Sequence, residues 1–183
     1  MSGWKLFFWT ILFSFPGRSE NHSTSTRPLE EALVKAAGVY IHPPKYISTL
    51  NLDLNKTVII TGANFGYINH LHNFKCFIDR LGLKVLVVSM DERTHKYVSS
   101  NMPSMTSLFW NGVDVVQEAS TEFRTQQFHV ITNRKKEAVL GAMKLGYNAI
   151  FIDTDVAVLR DPLSYLIWDR VDYVHSLNKI CPK

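Results

Sequence analysis

Cysteine is scarce in this chain. Its 183 residues hold only Cys76 and Cys181, too few for a disulfide framework, so the fold has to stand on an apolar core. The two leave room for a single bridge in an oxidising lumen, or for two small buried apolar side chains. A basic stripe is missing too. The formal charge is +4, but lysine and arginine are scattered, with one short cluster at Arg134-Lys135-Lys136. Nucleic-acid binders gather such residues on one face, so no nucleic acid is expected as a partner. There is no internal repeat, and with 46% hydrophobic and 20% charged residues the composition is that of a globular protein rather than a disordered one. A single domain with its own core is the expectation from length.

A bilayer-spanning run is also lacking. The longest apolar stretch, Trp4 to Phe15, is interrupted by Lys5, Thr10 and Ser14 and stopped by Pro16-Gly17. As a helix it would reach about 18 Å, against a hydrocarbon core of about 30 Å. That length suits the apolar region of a signal peptide, with Lys5 as its positive flank, or an uncleaved, tilted signal anchor. A mitochondrial signal would be amphipathic and arginine-rich, and this segment is neither. Asn21-His22-Ser23 and Asn55-Lys56-Thr57 fit the N-glycosylation pattern, whereas Asn101-Met102-Pro103 does not,. Residues 1–19 are therefore read as a signal peptide or membrane anchor leading to the secretory route. Residues 20–56 form a polar stem with one short helix at 28–37, opened by Pro28, carrying Glu30 and Glu31 in its first turn, and closed by Gly38,.

From Thr57 onward, short β-branched runs alternate with helical spacing. Strands are predicted at 57–61, 84–89, 113–116 and 148–152, with a fifth beginning near Val171-Asp172-Tyr173-Val174,. Between them, 67–81 places Leu71, Phe74, Ile78 and Leu81 on one helical face and ends at Gly82. Asp91 is placed to cap a helix to Ser100, and 123–145 is a long helix ended by Gly146,. Such alternation predicts an α/β fold, a mostly parallel sheet with flanking helices and a Rossmann-like nucleotide-binding half. Ligands of such sheets bind beyond the carboxyl ends of the strands. Thr61-Gly62-Ala63-Asn64 and Asp153-Thr154-Asp155 both fall at such ends.

Asp153-Thr154-Asp155 is the sharpest chemical signal. Two carboxylates two residues apart after a buried strand point to one side while the backbone stays extended. Ionising both is costly unless a cation lies between them. Hard oxygen ligands with open positions suit Mg²⁺ or Mn²⁺. The bare tripeptide also occurs as a solvated turn; its place after Ala149-Ile150-Phe151-Ile152 is what favours a metal pair.

The wider segment, from Leu145-Gly146-Tyr147 through Asp153-Thr154-Asp155 to Leu159-Arg160-Asp161-Pro162, resembles the signature of the nucleotide-diphospho-sugar transferases, which include plant arabinosyl- and xylosyltransferases. The match is close over 135–166 and looser over 73–88. Val158 departs from it, standing where members often carry an aromatic residue. The resemblance implies a GT-A-like fold and a nucleotide-sugar donor, most simply a UDP-sugar. It also implies Mn²⁺ or Mg²⁺ on Asp153 and Asp155, a glycan or glycoprotein acceptor, and a Golgi luminal or membrane site. In glycosyl transfer the leaving group is a nucleoside diphosphate, whose developing charge a metal neutralises.

Other candidates are softer. Thr61, Gly62 and Asn64 are placed to meet the nucleotide through backbone N–H groups, or to form a plain strand-to-helix turn. Arg134 and Lys135 open the stretch leading to the D-x-D strand; Lys135 is a candidate for the diphosphate, a solvated helix face the plainer reading. His70 and His72 lie two apart on a helix and face apart, as surface residues do. Phe109 and Trp110 read as core, and Arg160, Asp161 and Pro162 as a turn and cap. No catalytic base is assigned. The sequence stops at Lys183, soon after the predicted fifth strand, so residues 57–183 read as a C-terminally incomplete transferase domain whose turnover is open. Two other readings remain: a non-catalytic nucleotide-sugar binder or regulatory fragment of the same fold, and a metal-dependent phosphohydrolase. Haloacid-type phosphatases carry their D-x-D after the first strand, and here it follows the fourth.

Overall fold

A computed structural model of the chain describes residues 11–13, 27–37, 56–109 and 126–162. Four parallel strands form the centre: β2 (Thr57–Ala63), β3 (Val85–Ser89), β4 (Met105–Phe109) and β5 (Asn148–Phe151). A short strand β1 (Ile11–Phe13) adds antiparallel to β5, giving the order β1-β5-β2-β3-β4. The helices are α1 (Arg27–Ala36), α2 (Ile68–Arg80), α3 (Glu92–Asn101) and α4 (Gln126–Lys144). The α/β architecture with a mostly parallel sheet is as the sequence predicts.

Every residue of β2, β3 and β5 is buried, which explains why these strands read as continuous apolar runs rather than alternating ones. On one face Ile59, Ala63, Val85, Val87 and Ile150 pack with Leu71, Phe74 and Ile78 of α2 and Val98 of α3. On the other, Val58, Ile60, Leu86, Val88, Ala149 and Phe151 meet Leu29 and Leu33 of α1 and Ala138, Val139 and Ala142 of α4. Each valine, leucine, isoleucine or phenylalanine among them contributes roughly 1.5–3 kcal/mol on burial. Gly82 (φ 64°) and Gly146 (φ 79°) sit just beyond α2 and α4. A Cβ at either would meet nothing within 4 Å, so backbone conformation, not space, calls for glycine there.

Two readings change. β2 runs two residues past Thr61, through Gly62 and Ala63, instead of turning at the glycine. The strand beside β3 is Met105–Phe109, which was not anticipated because its Thr106, Ser107 and Phe109 are only half-buried and break the apolar run. The predicted strands at 113–116 and 171–174 lie outside the described residues, as does the helix after Pro162. Within the predicted export segment, Ile11–Phe13 is extended and paired with β5; its remainder is outside the described residues. Among the described residues, no helix is long and apolar enough to cross a membrane.

Asp91 does more than end a loop. Its Oδ1 accepts from Thr94 N–H at 2.7 Å, and its Oδ2 from the Thr94 hydroxyl at 2.9 Å and from Phe65 N–H at 2.8 Å. One buried carboxylate thus caps α3 and ties down the loop that follows β2. Asp91→Ala removes the cap and orphans the Phe65 amide. The expected loss is about 2–3 kcal/mol, seen as a lower urea midpoint, with Asp91→Asn costing less because it keeps a capping acceptor.

Candidate functional site

β5 ends at Phe151, and Ile152 N–H donates to Ile60 C=O at 3.0 Å as the last tie to the sheet. The chain then turns: Val156 N–H bonds Asp153 C=O at 3.2 Å. The expectation of an extended backbone through Asp153-Thr154-Asp155 is therefore corrected. The burial pattern nonetheless keeps the alternation. Ile152 (2%), Thr154 (6%), Val156 (4%) and Val158 (2%) point into the protein, while Asp153 is half-buried and Asp155 exposed. Both carboxylates are held away from the core because their neighbours are anchored within it. The small Val158, where the related motif often has an aromatic residue, is one of those anchors.

Lys135, on α4, donates from Nζ to Asp153 Oδ1 at 2.5 Å, and its ammonium lies 5.6 Å from the Phe151 ring centroid. Lys135 is thus brought to the D-x-D and does not lie on a solvated helix face. With the two side chains 23% and 30% exposed, the pair contributes about 1 kcal/mol or less to stability. Its value lies in placing a cation at one carboxylate. Arg134 instead pairs with Glu137 along the helix at 3.0 Å.

Thr61 and Gly62 lie inside β2, paired in register with Val87 and Val88 of β3. Thr61 is fully buried, and its hydroxyl has no hydrogen-bond partner among the described residues. Asn64, 1% exposed, is the first residue past the strand, and its C=O accepts from Tyr67 N–H at 3.0 Å. Gly62 faces the α1–α4 side. A Cβ there would stand 3.0 Å from Lys135 Cγ, 3.3 Å from its Cε and 2.9 Å from Met90 Cε. Gly62, Met90, Lys135 and Asp153 therefore form one contiguous group at the carboxyl ends of β2, β3 and β5. Nothing in the sequence pointed to Met90, and the Gly62–Lys135 contact joins positions with no local pattern in common.

Beside it, the Arg93 guanidinium stacks 3.6 Å from the Phe65 ring centroid, Tyr97 meets Phe65 edge-on at 5.8 Å, and His72 Nε2 and Tyr97 OH are 2.9 Å apart. His70 and His72 are exposed surface residues. Phe109 is half-buried, stacked on His95 at 5.9 Å; Trp110 is outside the described residues. Cys76 is exposed, and Cys181, its potential partner, is outside the described residues. Among the described residues no three of His, Cys, Asp and Glu gather to hold a metal. Asp153 and Asp155 offer hard oxygens of the kind that Mg²⁺ or Mn²⁺ takes alongside phosphate oxygens and water.

The model of the nucleotide-diphospho-sugar transferase family matches residues 82–180, and the chain belongs to that family. It is 31% identical over 114 residues to UDP-D-xylose:L-fucose alpha-1,3-D-xylosyltransferase 3 of Arabidopsis thaliana, across 61% of this chain and 29% of that protein. A beta-arabinofuranosyltransferase of the same plant is 28% identical over 116 residues, across 62% of this chain and 21% of its own length. A further UDP-D-xylose:L-fucose alpha-1,3-D-xylosyltransferase is 29% identical over 124 residues, across 67% and 32%. The chain spans about a third or less of these relatives. No solved structure matches it.

Proposed function

We propose that this chain forms the donor-binding half of a glycosyltransferase, holding a nucleotide-diphospho-sugar, most simply a UDP-sugar, at the carboxyl ends of β2 and β5. The observation that carries the reading is the alternating burial across 152–158, which turns Asp153 and Asp155 outward beside the end of β2. In this reading the two carboxylates hold Mn²⁺ or Mg²⁺ on the donor's diphosphate. When bound, the cation supplies positive charge where the leaving nucleoside diphosphate gains negative charge. Lys135 holds Asp153 in place and brings a second positive charge to the same spot. The loop at Asn64, fixed by Asp91, bounds the nucleotide on the β2 side. Xylosyl and arabinosyl transfer by the relatives supports a glycan or glycoprotein as acceptor. The apolar N-terminal segment and the two sequons support a secretory, Golgi location with an N-terminal membrane anchor or cleaved signal.

Titration of UDP into the full chain by calorimetry, with and without Mn²⁺, tests this. Binding that requires Mn²⁺ is expected. A folded protein that gives no heat with UDP in either condition overturns the reading.

A further inference from the structure

We propose that Gly62 and Lys135 bias which divalent cation the Asp153–Asp155 pair accepts, by holding one oxygen of Asp153 against chelation; this rests on the donor-site reading above. Gly62 is the starting point. It lies within the β2 ladder, paired with Val88, and is not among the positive-φ glycines. Backbone conformation therefore does not demand glycine, which in a strand interior weakens the strand. What favours it is space. The Lys135 stem crosses β2 at this point, and a Cβ would press on its Cγ and Cε, with Met90 Cε closer still. The contacts run from Cγ to Cε, so the stem would have to give by a few tenths of an ångström right up to the carbon that carries the ammonium. That ammonium sits 2.5 Å from Asp153 Oδ1, with the Phe151 ring at 5.6 Å. An ordinary surface ion pair needs no such channel.

With Oδ1 held by the ammonium, chelation of a cation through both oxygens of Asp153 has to compete with Lys135 for that atom. Ca²⁺ seeks six to eight oxygens and commonly takes carboxylates through both atoms, whereas Mg²⁺ is satisfied by single oxygens from one or two carboxylates plus phosphate and water. Mn²⁺ likewise fills an octahedral oxygen shell. The lysine thus disfavours the larger ion by competing for a ligand, not by narrowing a cavity.

The test is calorimetric titration of UDP into the full chain in saturating Mn²⁺, Mg²⁺ or Ca²⁺, for the unaltered protein, Lys135→Met and Gly62→Ala. The unaltered chain is expected to bind UDP more tightly with Mn²⁺ or Mg²⁺ than with Ca²⁺. Lys135→Met, which keeps an apolar stem against Gly62, should narrow that preference about tenfold, the worth of one charge-assisted hydrogen bond. Gly62→Ala should narrow it in the same direction by less, since it shifts the lysine rather than removing it, and it carries the test alone should Lys135→Met fail to fold. Mn²⁺-dependent UDP binding with an unmoved Mn²⁺/Ca²⁺ ratio in the folded variants sinks this inference and leaves the donor site standing. No UDP binding with any of the three ions overturns both.

Discussion

Asp153→Ala and Asp155→Ala are each expected to weaken Mn²⁺-dependent UDP binding by about a hundredfold, roughly 2.7 kcal/mol. On the proposed reading each removes one of the two carboxylates that hold the cation, and among the described residues no group of three His, Cys, Asp or Glu stands ready to replace it. The two variants should nonetheless differ. Asp155 is exposed, and its loss leaves the Lys135–Asp153 pair intact. Loss of Asp153 frees the Lys135 ammonium, which then meets the diphosphate directly as a point charge. Asp153→Ala should therefore keep a weak UDP affinity that ignores Mn²⁺ and fades with salt, while Asp155→Ala should show no such component. Calorimetry at two salt concentrations separates these outcomes. Neither variant should lower stability by more than about 1 kcal/mol, because the ion pair is partly solvated. Equal, metal-dependent binding in all three proteins would remove Asp153 and Asp155 from the site.

Phe74→Ala carries the largest expected cost to stability, about 3–5 kcal/mol. The ring is fully buried on α2, in the cluster that joins that helix to Ile59, Val85 and Ile150 of the sheet. A domain of this kind has only about 5–15 kcal/mol in hand, so the variant should lie close to unfolding at room temperature. Urea titration reads this as a lower midpoint at unchanged slope. Phe77, only partly buried at the same cluster, should cost well under half as much when truncated. A Phe74→Ala protein as stable as the parent would mean that α2 does not pack on the sheet as described.

Where burial is complete, the fold was legible in residue order. β2, β3 and β5 are sealed on both faces, so their apolar runs announce them, and Gly82 and Gly146 mark helix ends by a backbone angle that few other residues adopt. β4 escaped because Thr106 and Ser107 interrupt a strand that is only half-buried. The D-x-D was found from spacing and neighbours, yet the reason its carboxylates face outward was misjudged. A turn anchored by Thr154 and Val156 achieves what an extended backbone was expected to do. Gly62 was read as the end of an apolar run, there either to meet the nucleotide through its backbone N–H or to make a plain turn. Its contact with Lys135 joins residues seventy-three positions apart, and no local pattern encodes a missing Cβ on one element for a stem arriving from another.

The strand that carries the D-x-D is flanked on its outer side by Ile11–Phe13, residues from the same apolar segment that reads as an export signal. As an export signal the segment would have two competing roles. Held by export machinery or a bilayer, it would leave β5 with one row of its N–H and C=O groups without the neighbour seen here. Should processing remove the segment, that bare row becomes a template for another strand, whether from elsewhere in the chain or from a second molecule. The pairing of Ile11–Phe13 with β5 is in that sense a cover on the sheet's edge, separate from the donor site.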